Sequence, residues 1–224
     1  MPRTNVGARP SGWADRFGVT HLSIYLIRHG LALAGAEDLD PGLAPLGHEQ
    51  AAATAKALAG LSAKILLVSP LRRTRETAAP TAAALGLEPL IREEVAEVFD
   101  PAMAAEQRRS MIGPFMAGLW ADQPAHLQAW RRRVIETVRE FGLAAAAADA
   151  DLVIVSHYIA IGVIIGEALG DDRVVPIPMA NCSITSVSLG SGRFQLLKAV
   201  DTGHLSAAQV SGIGTAMAGR APGA

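Results

Sequence analysis

Three short, uninterrupted apolar runs constrain the fold of this chain more than any other feature. They occupy residues 24–27, 65–68 and 152–155, and each is too short to be a buried helix. Such runs are typical of strands covered on both faces, and a helical stretch comes between each run and the next element. The alternation predicts an α/β fold: a three-layer sandwich with a mostly parallel central sheet, helices on both faces and a small helical cap.

Residues 102–145 supply the predicted cap, because they have helical composition and several large apolar side chains. We expect a break at Gly113 and Pro114, since proline interrupts the hydrogen bonds of a helix. Further along, residues 183–189 and 194–200 alternate in the manner of strands. The Gly-Ser-Gly sequence between them predicts a hairpin.

The length of 224 residues suits one domain with a sizeable core. Neither an internal repeat nor a linker divides the chain, so residues 21–205 are predicted to form that single domain. Residues 1–20 hold several glycines and prolines without periodicity and are predicted to be a loose extension. Residues 206–224 are small and glycine-rich, and we expect them to form a mobile tail.

Charge and cysteine content exclude several classes of protein. The formal net charge is -1, so no attraction to nucleic acid or to an anionic membrane is expected. Cys182 is the only cysteine, which excludes an intramolecular disulfide and a cysteine zinc cluster. The strongly apolar stretch 152–166 has no formal charge, but it is shorter than the roughly 18 residues of a membrane span. Residues 1–20 lack the apolar middle of a secretion signal, so a cytoplasmic location is expected.

Cationic or imidazole side chains follow each of the three predicted strands. Arg28 and His29 follow the first, Arg72 and Arg73 the second, and His157 the third. Each has an ordinary interpretation alone, as a surface arginine or a capping histidine. Ligands bind beyond the carboxyl ends of parallel strands, so these side chains are expected to meet at one edge of the sheet. Guanidinium forks match phosphate oxygens and an imidazole can act as a nucleophile, so the pattern predicts a phosphate site.

A longer series of residues, in the same order along the chain, extends this pattern. The series is Arg28, His29, Gly30, Leu43, Gly47, Gln50, Ala51, Ser69, Leu71, Arg73, Thr77, Ala78, Ser156, His157, Asn181 and residues 201–205. It resembles the motifs of the histidine phosphatase superfamily, also called phosphoglycerate-mutase-like, over roughly residues 22–205. The register of the motif selects Arg73 rather than Arg72. Flanking motifs typical of the mutase branch are absent, so the resemblance points to the phosphatase branch.

The resemblance implies a phosphatase that needs neither a metal nor another cofactor. Neutral His29 would attack a phosphate monoester and become a phosphohistidine. Arg28, Arg73 and His157 would bind the phosphate oxygens and neutralise their charge. The substrate would be a small phosphorylated molecule or a phosphoprotein, including one that carries phosphohistidine. A phosphomutase and a non-catalytic phospho-ligand-binding protein are the alternatives, and the sequence does not indicate an oligomeric state.

A carboxylic acid is also required, to protonate the leaving alcohol. In the family this acid follows a Gly-Leu turn by about ten residues, within a Leu-x-Glu sequence. Here the spacing selects Glu97, with Val95 in place of the leucine, and Glu94 is the second candidate. Apolar neighbours would raise the pKa of a carboxyl at position 97, as an acid catalyst requires.

Three further residues are candidates for the pocket. Gly30 lets the chain turn sharply and lets a ligand approach the backbone. Tyr158 stands where the family often has a small residue, and it directly follows the second histidine. His204 lies in the familiar segment near the end of the domain, although an ordinary surface histidine is an equally good interpretation.

Overall fold

The computed structural model describes residues 23–33, 38–99 and 105–212. For residues 105 and 107–109 it describes the backbone. Within these ranges the strands are β1 (Ser23–Arg28), β2 (Ala63–Val68), β3 (Leu90–Ile91), β4 (Asp151–Ser156), β5 (Ile184–Gly190) and β6 (Arg193–Asp201). The α-helices are α1 (Pro45–Leu58), α2 (Arg72–Leu85), α3 (Ala105–Ala117), α4 (Ala125–Ala147) and α5 (Tyr158–Leu169). A single 3₁₀ turn, Glu93–Val95, follows β3.

The six strands form one sheet in the order β3-β2-β4-β1-β5-β6. The first four of these neighbours run parallel, and β5 is antiparallel to both β1 and β6. Arg28 at the end of β1 pairs with Ser156 at the end of β4. The residues that follow these two strands, His29 and His157, are therefore neighbours at one edge of the sheet, as the sequence predicts.

Helices cover both faces of the sheet, which confirms the predicted three layers. On one face, Ile27 and Val153 pack with Leu58 of α1 and Ala78 of α2. On the other face, strand residues of opposite parity pack with α4 and α5; they include Ile24, Leu26, Leu152 and Ile154. The alternation along each strand thus places one core on each side of the sheet.

Residues 102–145 are predicted to form a helical cap packed on the core, part of which could cover a substrate pocket, and the described part of this segment contains α3 and α4. Helix α4 packs on the sheet and on α5 through Val134, Val138 and Ala145, so it belongs to one of the covering layers. Ile112 and Met116 of α3 line the pocket that lies beyond the ends of the parallel strands, and residues 102–104 lie outside the described part of the chain. The predicted break at Gly113 and Pro114 is wrong, because α3 continues to Ala117. A helix that covers a sheet and a helix that lines a pocket have similar amino-acid composition. Only their packing partners distinguish the two.

The predicted hairpin is confirmed. Strands β5 and β6 pair antiparallel, with Gly190 opposite Arg193. Ser191 and Gly192 between them both have positive φ, 51° and 77°. Two central residues with positive φ form the type I′ turn that matches the twist of paired strands.

The region predicted as a mobile tail begins with an anchored segment. Residues 206–212 are described, and Gln209, Ser211 and Gly212 all accept hydrogen bonds from the domain. Their glycine-rich composition does not reveal these partners, which are distant in sequence. Residues 1–20 and 213–224 lie outside the described residues, so their predicted mobility stays a prediction. Within the described residues, no helix combines the length and the hydrophobicity that crossing a bilayer requires.

Candidate active site

Buried side chains from α1 and α2 fix the loop that follows β1. The backbone N–H of Gly30 donates to Thr77 Oγ1 at 3.0 Å, and the N–H of Leu31 donates to Gln50 Oε1 at 2.8 Å. Thr77 and Gln50 are almost fully buried. Backbone groups that leave a strand lose their sheet partners, and these side chains replace them. The direction of the chain after His29 is therefore set by the packing of two helices.

Two glycines allow α1 to approach this loop. A Cβ atom at Gly30 would lie 2.7 Å from the carbonyl oxygen of Gly47, and a Cβ at Gly47 would overlap the carbonyl oxygen of Leu31. Both positions therefore require glycine because of close backbone approach. The spacing of these glycines in the sequence thus reflects one contact in the fold.

A second network connects the loop to the segment 206–212. Asn181 Nδ2 donates to the carbonyl oxygen of His29 at 3.0 Å, and the Asn181 backbone N–H donates to the carbonyl of Ser211 at 2.9 Å. Gln50 Nε2 donates to the Gln209 carbonyl at 2.6 Å and to Ser211 Oγ at 2.8 Å. Two buried amide side chains thereby hold the loop and this late segment together.

A pocket of about 400 Å³ lies beyond the carboxyl ends of the parallel strands. Its floor consists of the ionisable side chains Arg28, His29, Arg73 and Glu97. Its wall consists of the apolar side chains Leu39, Pro41, Phe99, Ile112, Met116 and Ile159. Ala32, Asp38, Tyr158 and Gly212 complete the lining. The size is within the range of small-molecule sites, roughly 300–1,000 Å³.

His29 is held in the neutral form and in one tautomer. Its Nδ1 lies 2.8 Å from the carbonyl oxygen of Gly30, so Nδ1 carries the proton and donates it. Nε2 is consequently unprotonated and has a lone pair. Burial, followed by the charges of Arg28 and Arg73, lowers the pKa of His29 to about 3. The imidazole therefore stays neutral at any pH near neutrality, and such a ring nitrogen can act as a nucleophile.

Arg28 is fixed by two backbone carbonyl groups and one aromatic ring. Its Nη1 donates to the carbonyl oxygens of Met179 at 2.6 Å and of Gly212 at 2.8 Å. The guanidinium carbon lies 4.8 Å from the centre of the Tyr158 ring. These contacts set the plane of the guanidinium beside His29, as a preorganised anion ligand requires.

The two arginines at the start of α2 point to different places. Arg73 lines the floor, where its Nη2 lies 3.3 Å from His157 Nδ1 and its Nη1 lies 3.9 Å from Asp40 Oδ1. The Arg72 side chain is 54% exposed, and its Nε donates to Glu76 Oε1 at 2.7 Å. The structure therefore brings Arg73, and not Arg72, to the other candidate residues.

His157 lies behind the floor and is fully buried. Its ring centre is 5.3 Å from that of His29. Arg73 Nη2 can only donate, so His157 Nδ1 accepts; Nε2 then carries the proton and donates to Ser69 Oγ at 2.7 Å. Burial, followed by the charges of His29, Arg73 and Arg28, lowers the pKa of His157 well below its ordinary value. His157 is thus neutral, and its two ring nitrogens contact Arg73 of the floor and the buried Ser69.

Glu97 is the carboxyl group of the floor. Burial raises its pKa, although the backbone N–H groups of Val98 and Ile159 and the charges of Arg73 and Arg28 act in the opposite direction. The Val98 N–H donates to Glu97 Oε1 at 2.9 Å. A carboxyl with a raised pKa, beside a nucleophile and two cations, can deliver a proton to a leaving group and later take one back.

The geometry of this pocket agrees with a family match along the chain. The profile of the Histidine phosphatase superfamily (branch 1) matches residues 24–202. The chain belongs to this superfamily. A search of the curated proteins finds no match.

Solved structures of histidine phosphatases and mutases share the fold. A mutant phosphoserine phosphatase from Entamoeba histolytica, in complex with phosphoserine, has a TM-score of 0.64 at 22% identity, covering 83% of this chain and 100% of that one. Bacillus stearothermophilus YhfR has a TM-score of 0.65 at 18% identity, covering 83% and 100%. Phosphoglycerate mutase from Bacillus anthracis has a TM-score of 0.63 at 17% identity, covering 82% and 94%. At these identities the likeness concerns the fold alone.

The remaining predicted pocket residues divide into two groups. Tyr158 lines the pocket, and its ring lies beside the guanidinium of Arg28. The tyrosine is therefore part of this site. Glu94 lies in the 3₁₀ turn and does not line the pocket. Gly30 acts through its backbone, as described above.

His204 and Cys182 lie away from the pocket lining. His204 Nε2 is 3.1 Å from Thr54 Oγ1 of α1, on the side of the late segment. Cys182 is fully buried, and burial raises the pKa of its thiol to about 12. Neither residue reaches the pocket, and the buried thiol behaves as the predicted small hydrophobic residue.

Several site residues were not predicted as such from the sequence. Gln50, Ser69, Thr77 and Asn181 belong to the superfamily motifs, yet their task, which is to fix the loop and His157, is visible only in the fold. Gly212 lies in a region whose composition predicts a tail. Glycines that lie a few residues after a polar side chain, as Gly212 lies after Gln209, are common in sequences. This pattern could therefore not have identified Gly212 as a site residue.

Proposed function

We propose that this protein is a metal-independent phosphatase that hydrolyses phosphate monoesters, or a phosphohistidine, through a phosphohistidine intermediate on His29. The observation that carries the proposal is the tautomer of His29. Its Nδ1 donates to the Gly30 carbonyl, so an unprotonated Nε2 lies in a pocket that also holds two guanidiniums and a carboxyl with a raised pKa. These are the parts that covalent phosphoryl transfer requires.

In the first step, the lone pair of His29 Nε2 forms a bond to phosphorus while the bond from phosphorus to the leaving oxygen breaks. Glu97 transfers its proton to that oxygen, so an alcohol leaves rather than an alkoxide. Arg28 and Arg73 donate to the phosphoryl oxygens, where negative charge is spread in the transition state. The two guanidiniums supply positive charge that a metal ion supplies in other phosphoryl-transfer enzymes.

In the second step, the carboxylate of Glu97 takes a proton from a water molecule, whose oxygen attacks phosphorus. The bond between phosphorus and Nε2 breaks, and its electron pair returns to the neutral imidazole. Inorganic phosphate leaves, and Glu97 is again protonated. The same carboxyl group is therefore acid in the first step and base in the second, which its raised pKa supports.

A direct phosphate contact of His157 stays a prediction. The contact observed for its ring is with Arg73, at 3.3 Å, and its protonated nitrogen donates to Ser69. This arrangement supports a positioning role, in which His157 holds the guanidinium of Arg73 at the floor. A positioning role predicts that His157→Ala lowers kcat and also weakens the binding of vanadate.

The test is phosphate release by the purified protein. Naphthyl phosphate, alkyl phosphates, sugar phosphates and a protein that carries phosphohistidine are supplied in turn, with and without a chelator. The proposal expects inorganic phosphate from at least one ester, no effect of the chelator, and competitive inhibition by vanadate. Phosphorus NMR that shows an isomeric ester in place of free phosphate would identify a phosphomutase instead. Binding of vanadate without turnover of any substrate would identify a non-catalytic phospho-ligand-binding protein.

A further inference from the structure

The wall of the pocket differs chemically from its floor. Among the described residues of the lining, the wall offers aliphatic side chains, one thioether and one phenyl ring. Phe99 and Ile159 are buried, whereas Ile112 remains 39% exposed and Leu39 51% exposed. A group bonded to a phosphate on the floor would therefore extend along an apolar surface.

The charges of the described lining are distributed unequally. Its two cations, Arg28 and Arg73, belong to the floor, where they face the proposed phosphate position. Beyond the floor the lining holds one charged side chain, the exposed Asp38. Asp38 Oδ1 accepts the backbone N–H of Asp40 at 3.0 Å, which fixes the carboxylate at the end of the loop. The nearby cation Arg72, whose charge interacts with that of Asp38, does not line the pocket. An anionic group on the leaving alcohol would therefore meet the Asp38 carboxylate and find no cation among the described lining residues beyond the floor.

We propose that the wall and Asp38 together select phosphate monoesters whose alcohol is apolar and uncharged, such as an aryl or alkyl alcohol. Esters whose alcohol carries a carboxylate or a second phosphate are discriminated against. This inference rests on the proposed phosphatase function and names its substrate class. Selection has an attractive part, the burial of apolar surface against the wall, and a repulsive part, the carboxylate of Asp38.

The test compares two esters of the same carbon-chain length that differ at the far end of the chain, where one has a methyl group and the other a carboxylate. Butyl phosphate and the phosphate ester of γ-hydroxybutyrate have similar primary alkyl leaving groups, and the second carries a remote carboxylate. We expect kcat/KM to be at least roughly 10-fold higher for butyl phosphate, since an unpaired or repelled charge is a strong discriminator. The preference should lie mainly in KM, because the chemical step is the same for both esters.

Two variants on α3 form a matched pair for this measurement. Ile112 lines the pocket and Met111, its neighbour in sequence, does not; their exposed fractions are 39% and 40%. Ile112→Lys places a cation on the wall and should shift the ratio toward the carboxylate ester by roughly 10-fold or more, as a new charge pair does at a partly shielded site. Met111→Lys should leave the ratio within about twofold, since an exposed charge that does not line the pocket is screened by solvent and salt.

Asp38→Asn tests the repulsive part without relying on α3. Asparagine keeps an acceptor oxygen for the Asp40 N–H, so the loop is retained while the charge is removed. The ratio of kcat/KM for the carboxylate ester to that for butyl phosphate should rise a few-fold. Equal kcat/KM for the two esters in the unaltered protein would overturn the inference while the phosphatase function stands. Phosphate release from sugar phosphates or from the phosphohistidine protein, but from neither alkyl ester nor naphthyl phosphate, would overturn the inference in the same way. Absence of phosphate release from every substrate of the panel would overturn the proposed function itself.

Discussion

The floor and the wall of the pocket are built in different ways. The floor residues lie at the end of β1, at the start of α2 and after the 3₁₀ turn, and hydrogen bonds fix their side chains. The bonds of Arg28 and Arg73 are to parts of the chain that are distant in sequence. The wall comes from the loop 38–41, the start of α5 and the helix α3, and part of it is exposed to solvent. If the proposed function holds, the hydrogen-bonded, charged floor would provide the chemistry, and the partly exposed apolar wall would select the group attached to the phosphate.

The largest effect should come from the nucleophile. His29→Ala should lower kcat by roughly 10⁴-fold or more, because removing the group that forms the covalent intermediate eliminates the pathway. The melting temperature should change little, since the side chain lines a pocket. Rapid quenching of the unaltered protein with a labelled substrate, under alkaline conditions that preserve phosphohistidine, should place the label on His29. A label on His157 would contradict the assignment.

The second effect separates the two arginines of α2. Arg73→Ala should lower kcat by roughly 10²–10³-fold, the loss typical of a donor aimed at developing charge. Arg72→Ala should change kcat by less than about twofold, because its guanidinium pairs with Glu76 at the surface. Steady-state kinetics with naphthyl phosphate measure both. Equal losses would mean that the floor includes Arg72.

The third effect identifies the acid. Glu97→Gln should slow alkyl phosphates by roughly 10²-fold but aryl phosphates far less, since only the poor leaving group needs a proton. Because the acid must be protonated, kcat/KM for alkyl esters should fall as the pH rises through the raised pKa of Glu97, and the variant should lose this dependence. His29, with a pKa of about 3, contributes no acidic limb near neutrality.

Glu94→Gln is the control for this experiment, because Glu94 lies in the 3₁₀ turn outside the pocket lining. It should leave both ester classes and the pH profile unchanged. If leaving-group dependence appeared in Glu94→Gln instead, the assignment of Glu97 would be wrong.

The fourth effect tests how firmly the floor is fixed. Gly212 has a φ of 69°, and a Cβ there would overlap Asn181 Oδ1 and lie 3.2 Å from Arg28 Nη1. Gly212→Ala should therefore lower kcat about tenfold through displacement of Arg28, with a loss of roughly 1–3 kcal/mol in unfolding free energy. Gly86→Ala is matched, with a φ of 65° and open space around the position. It should lower stability by about 1 kcal/mol and leave kcat unchanged.

The smallest effect belongs to the wall. Ile112→Ala should raise KM for butyl or naphthyl phosphate by about fivefold with kcat unchanged, because three carbons of partly buried apolar surface are lost. Met111→Ala should leave both constants unchanged. A fall in kcat for Ile112→Ala would show that the wall also positions the reacting groups, and the distinction between floor and wall would weaken.

Much of the floor could be predicted because its signals are local. Arg28, His29, Arg73 and His157 each follow an apolar strand within a few residues, and parallel strands bring their ends to one edge. Glu97 could be selected only with the spacing known for the superfamily, since three carboxylates lie within the eight residues 92–99. The fold class followed from the same alternation of strands and helices.

The rest could not be predicted, because it depends on packing partners. The helical periodicity of α4 is the same whether the helix covers the sheet or lines a pocket, so the sequence left both interpretations of residues 102–145 open. The segment with Ser211 and Gly212 has a composition typical of a tail, and its hydrogen bonds to Gln50 and Asn181 leave no pattern in the sequence. Contacts between residues far apart in the chain have no local signature.

The position of β1 has a consequence for the order in which the protein folds. This strand comes early in the chain, but it lies between β4 and β5, so Ile24 pairs with Leu152 on one side and with Val187 on the other. Loops that span more than a hundred residues must close before these pairs form, and such non-local contacts slow folding. On refolding from denaturant, helical circular dichroism should recover before phosphatase activity does. Catalytic competence would then appear only when the centre of the sheet is complete, and activity would report the native state more strictly than secondary structure.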